Sequence, residues 1–175
     1  EPPEPSPDSP PDREWTELTP RIPLDELREI TVALPDGGQL VCEKRAGEGT
    51  ATQPPGMPLE TRHVETLAGA LARLELGPAL DGPGTAYGLE RPRATVTLVG
   101  VAEQRLTLQI GDDAPVGAST YVLTPDGQTR PSRSALGSLV PDSPAQWRSG
   151  EVTGLSRAQI KEVIVRERLL DAVDG

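Results

Sequence analysis

One histidine and one cysteine limit the chemistry open to this 175-residue chain. Acid-base and nucleophilic catalysis usually recruit an imidazole, and His63 would need partners that distant parts of the chain supply; no Gly-x-Ser-x-Gly elbow is present to provide a nucleophile. His63 therefore reads as a surface or helix-end residue. The adjacent carboxylates Asp112 and Asp113 could join His63 in a hydrolase, or help to hold calcium. A calcium site, however, assembles six or more oxygens from several positions, so the plain reading is a solvated turn after Gly111. A zinc site would want further His or Cys, and Cys42, standing alone, excludes an internal disulfide; it reads as a small hydrophobe in a strand. Gly82-Pro83-Gly84 looks like a phosphate loop until Pro83 is noticed, because it removes a backbone N–H that such a loop needs. The reading assigns no catalytic residue, no metal ligand and no cofactor, and expects a non-enzymatic protein.

Recognition is the remaining chemistry. The aromatics are Trp15, Tyr87, Tyr121 and Trp147, with no Phe. In Tyr87-Gly88-Leu89-Glu90-Arg91-Pro92, a Tyr beside a Gly and a Pro offers a preformed apolar surface with a polar tip. The competing role is packing, with Tyr87 and Leu89 plugging the gap between helix and sheet and Pro92 starting the next strand. Trp147 is similar and could cover the open end of the sheet. Tyr87, Leu89, Pro92 and Trp147 are thus the candidate interaction surface.

Charge narrows the partners. With 17 basic against 27 acidic residues the net charge is -10, and the Arg residues are scattered among carboxylates without an aromatic stacking platform, so no nucleic-acid partner is expected. The same acidity opposes an electrostatic grip on anionic lipid, and no run of about 18 apolar residues exists to span a bilayer. The chain as given is expected to be soluble. Its 20 Pro and 18 Gly, beside a hydrophobic fraction of 35%, place part of the chain outside any core.

The elements that must position these residues follow from periodicity. Residues 1 to 12 carry prolines and acids with nothing apolar to bury, and read as an extended spacer; the stalk is drawn over residues 1–23. A PxxP ligand is the sharper reading of the same stretch, set back by acidic flanks where such ligands often carry a basic anchor. Asp25 starts a short turn, and then Ile30, Val32 and Leu34 alternate with polar positions up to Pro35-Asp36-Gly37-Gly38, predicting a hairpin over 29–45. Residues 46–58 read as loop. Val64, Leu67, Leu71 and Leu74 recur at helical spacing over 60–76, ended by Gly77-Pro78. Ala94 to Val99, Arg105 to Ile110 and Thr120 to Thr124 predict an antiparallel meander, because connections this short cannot cross over. Ser134 to Val140 is a candidate short helix. The fold class is α+β: a mainly antiparallel sheet of hairpin plus meander with one principal helix on a face, the domain spanning residues 24–155. In 156–175, Ser156 with Gln159 resembles a capping box, and Ile160 to Val165 repeats the pattern of Leu27 to Val32, predicting a helical turn and strand like the start of a second repeat.

Tyr87-Gly88-Leu89-Glu90-Arg91-Pro92, then Leu108-Gln109-Ile110-Gly111 and Val116-Gly117 leading into Tyr121-Val122, resemble the bacterial domain-of-unknown-function family 4340. The likeness covers about residues 24 to 167 and is a pattern of glycines, prolines and apolar positions rather than a catalytic signature. A Trp often found in that family between hairpin and helix is missing here, and the second repeat stops at Gly175. The resemblance implies an extracytoplasmic body anchored to the cell membrane by a segment preceding Glu1, with residues 1–23 as its stalk; some family members are encoded near components of gliding-motility-type transporters. The leading expectation is an envelope-associated interaction or scaffold module, accessory to a transport or motility complex, contacting a protein partner through a sheet edge or the Tyr87 loop. A small-molecule or polysaccharide-binding module is the alternative and would need a concave site with convergent polar or aromatic groups; a hydrolase using His63, Asp112 and Asp113 is the third.

Overall fold

A computed structural model describes residues 15–45, 48–55, 58–115 and 117–149. Its elements run β1 (Thr16–Glu17), β2 (Leu27–Ala33), β3 (Gln39–Arg45), β4 (Glu48–Gln53), α1 (Thr61–Ala72), β5 (Glu75–Leu76), β6 (Ala94–Gly100), β7 (Arg105–Asp113), β8 (Thr120–Leu123) and β9 (Thr129–Pro131). Seven strands form one sheet in the order β4-β3-β2-β6-β7-β8-β9, every neighbouring pair antiparallel. The fold is α+β and sheet-dominated, with one α-helix among the described residues.

The sheet has one dry face because apolar residues fall at every second position. Ile30, Val32, Leu40, Cys42, Val96, Leu98, Leu106, Leu108, Ile110 and Val122 point into a common core, and the alternating Thr31, Thr95, Thr97 and Thr107 lie on the other face. There Thr97 and Thr107, cross-strand neighbours, share a hydroxyl hydrogen bond of 3.1 Å. Helix α1 brings Val64, Leu67, Ala68 and Leu71 to the same core.

Two turns of one design set the register. In Pro35-Asp36-Gly37 the Leu34 N–H donates to Gly38 O and the Gly37 N–H to Leu34 O; in Pro125-Asp126-Gly127 the Thr124 N–H donates to Gln128 O and the Gly127 N–H to Thr124 O. Gly37 and Gly127 both have left-handed backbones, φ 88° and 79°, which a three-residue hairpin loop requires at its last position. The Thr124 hydroxyl also donates to the Asp126 carboxylate and, with the Gln128 N–H and the Arg130 charge, holds that carboxyl below its usual pKa.

Several boundaries differ from expectation. The stalk does not extend to residue 23: Leu18 and Ile22 are 5% and 3% exposed in the core, and β1 pairs with β5 through Thr16–Leu76 and Glu17–Glu75. The helix stops at Ala72, not 76. Leu74 and Leu76 are two residues apart and both buried, a strand spacing that the Leu18 N–H bond to Leu74 O makes real. Residues 48–53, read as loop, form an edge strand on β3, and Thr129–Pro131 adds another beyond β8. Asp112 and Asp113 end a longer β7, where a register shift interrupts the pairing. In place of a helix over 134–140 there is a single 3-10 turn, Leu136–Ser138. The expectations for 156–175 lie outside the described residues.

Candidate functional site

The Tyr87 loop is built on glycines. A 3-10 turn, Gly84–Tyr87, closes on left-handed Gly88, and the Leu89 N–H returns to Gly84 O at 2.9 Å. Leu89 is buried and fixes the loop from below. The Tyr87 carbonyl and the Leu89 side chain lie against Gly111 where a Cβ would stand, and the Asp112 carboxylate crowds Gly88 in the same way. Each glycine thus lets backbone approach where a side chain would hold it off.

So placed, Tyr87 presents its ring edge-on to Tyr121, centroids 4.9 Å apart at 61°, while its hydroxyl donates to Asp81 O at 2.7 Å. Tyr121 follows buried Thr120 and precedes buried Val122, so it emerges on the opposite face of β8. Trp15 stands at the entry to β1, with the Arg133 guanidinium 5.8 Å from its ring centroid. Arg133 pairs with Glu75 at 3.0 Å. Trp15, Tyr87, Tyr121 and Arg133, together with Leu80 and Pro131, line an open cleft of about 480 Å³.

Beside the cleft a partly buried polar network, centred on Thr120, ties β7 and β8 to the segment after β9. Thr120 Oγ1 donates to Asp113 Oδ1 at 2.8 Å and accepts the Gly137 N–H at 3.1 Å. The Thr120 N–H reaches Ser132 Oγ at 3.2 Å, and Arg93 pairs with Asp113 at 3.3 Å. Asp113 is therefore committed to Arg93 and Thr120. His63, on the first turn of α1, stacks on Trp147 at 6.2 Å, so the structure does not assemble it with Asp112 and Asp113. Among the described residues no group of three or more His, Cys, Asp and Glu is placed to hold a metal ion.

Of the four residues expected on an interaction surface, Tyr87 and Pro92 are half-buried and Tyr87 lines the cleft. Leu89 and Trp147 are corrections. Leu89 is a buried plug, and Trp147, 3% exposed, packs in the core with its carbonyl accepting the Glu60 N–H. Trp15, Tyr121 and Arg133 were missed. Only the alternation around Tyr121 signalled that its ring leaves the core face.

A second, smaller hollow of about 190 Å³ lies between α1 and the β2–β3 hairpin, lined by Leu27, Ile30, Cys42, Val64 and Ala68. Burial pushes the Cys42 thiol up to about 11, so it stays protonated at neutral pH and is a poor nucleophile or metal ligand.

Among the described residues no helix is long and apolar enough to cross a membrane. No curated protein and no solved structure matches the chain. A family model described as domain of unknown function (DUF4340) matches residues 50–172. That span holds the Tyr87-Gly88-Leu89 and Ile110-Gly111 segments that meet in the loop packing described above. With more than half of its length matched, the chain belongs to this family of domains of unknown function, DUF4340.

Proposed function

We propose that this domain is a non-enzymatic interaction module of the cell envelope, receiving an extended segment of a protein partner in the cleft of Trp15, Tyr87 and Tyr121. The observation that carries the reading is convergence: three of the chain's four aromatic side chains share one open cleft with an arginine. Rigid aromatic rings and Arg are the residue types on which interface free energy concentrates. Placement in the envelope, as an accessory to a transport or motility assembly, draws on the family resemblance.

A small-molecule or saccharide ligand is the second reading, favoured by a cleft volume within the ~300–1,000 Å³ typical of such sites. Both are tested with a photo-crosslinking residue at Ala118, on the cleft rim, in the full chain expressed in its own cells. A specific protein adduct that Tyr121→Ala abolishes supports the interaction module. No adduct, but a raised melting temperature with an oligosaccharide panel, supports the second reading; neither an adduct nor a melting shift rejects the cleft as a binding site.

A further inference from the structure

We infer that the cleft's resident occupant is the chain's own proline-rich arm, residues 1–12, bound in cis and displaced by the partner; this rests on the binding reading above. The arm enters the folded body at the cleft itself, because Trp15, two residues beyond Arg13, forms part of its wall. Its sequence contains Pro2, Pro3, Pro5, Pro7, Pro10 and Pro11. Such a sequence favours the polyproline II conformation, which has no internal hydrogen bonds and leaves its carbonyls to be met by a partner; aromatic-lined grooves are the surfaces that receive it.

The cleft carries matching groups. The Tyr87 hydroxyl is taken by Asp81 O, whereas the Trp15 indole N–H and the Tyr121 hydroxyl have no hydrogen-bond partner among the described residues. One polyproline turn of three residues spans about 9 Å, close to the linear dimension of a 480 Å³ space. Twelve residues extend about 37 Å at the same rise, ample to fold back over Tyr121. Glu1, Glu4, Asp8 and Asp12 make the arm acidic, and Arg133, the cation on the cleft wall, already pairs with Glu75 at 3.0 Å, so the fit rests on the prolines and the aromatic rings rather than on charge.

The test uses iodide quenching of tryptophan fluorescence in the full chain. Trp147 is 3% exposed, so quenching reports Trp15. Replacing all six prolines by serine (Pro2→Ser through Pro11→Ser) is expected to raise the quenching constant at least two-fold with an unchanged circular dichroism spectrum. A synthetic peptide of residues 1–12 then restores protection to that chain, and fails to do so when Tyr121→Ala is added. The same six substitutions are expected to increase the Ala118 crosslink to a partner, because the cleft is vacated. A quenching constant unmoved by the substitutions overturns the arm as occupant, and the Ala118 crosslink then judges the binding reading on its own. Protection that is lost on dilution assigns the cleft to the arm of a second copy and overturns the cis inference.

Discussion

The backbone carbonyl of Tyr87 occupies the space in which residue 111 would carry a Cβ, and Gly111 leaves that space open. Replacing it by alanine forces the loop off β7 or bends the strand. Gly111→Ala is expected to destabilise the domain by about 1–3 kcal/mol, the usual cost of overpacking, read as a lower urea midpoint. Because the displaced loop carries Tyr87, partner crosslinking at Ala118 should fall as well.

Tyr87 and Tyr121 contact each other edge to face, and such pairs contribute about 0.5–1.5 kcal/mol beyond the area they bury. A double-mutant cycle with Tyr87→Leu and Tyr121→Leu should return a coupling in that range. Tyr87→Phe keeps the ring contact but strips the bond to Asp81 O, and should cost about 0.5–1.5 kcal/mol. A cycle that returns zero coupling would mean the two rings act independently.

Thr120 is fully buried and its hydroxyl serves both Asp113 and the Gly137 N–H. Thr120→Val conserves the shape and abandons both partners, so a loss of about 1–3 kcal/mol is expected. Thr120→Ser retains the hydroxyl and should lose less. Urea unfolding of the two variants checks the ordering.

Cys42 supplies a pH dependence with a defined sign. Its folded pKa, about 11, lies above the ordinary thiol value of 9.0. The unfolded chain therefore releases this proton first as pH rises. The contribution is fully present below pH 9 and disappears between 9 and about 11, amounting to about 3 kcal/mol at most. Cys42→Ala should flatten the stability profile over that window while lowering stability at neutral pH through lost packing. Thiol labelling of the native protein should be slow compared with the urea-unfolded chain.

The parts of the fold that sequence disclosed are those governed by neighbours along the chain. The β2–β3 hairpin was legible because alternation and a Pro-Asp-Gly turn agree within 20 residues, and the β6–β7–β8 meander because alternation recurs across connections too short to cross over. The end of α1 was misread because Leu74 satisfies a helical interval from Leu71 and a strand interval to Leu76 at once; hydrogen bonding to residues 16–18 decides between them. Strand β9 was hidden by its brevity and Pro131, β4 by its glycine and polar residues. The cleft was illegible for a deeper reason. Residues 15, 87, 121 and 133 converge only through the β1–β5 pairing and the Gly111 contact, and neither leaves a periodic trace.

The β1–β5 pairing also determines how the molecule would bear load. Tension on the chain ahead of Trp15 meets a ladder of two residue pairs, the Leu18 N–H bond to Leu74 O and the Arg21 bond to Ala72 O. Beyond them comes β2, locked between β3 and β6 in the middle of the seven-stranded sheet. The short ladder is therefore the seam that peels first, swinging Trp15 away from Tyr87 and Tyr121 while the sheet stays whole, so a pull from that side dismantles the cleft before it unfolds the domain.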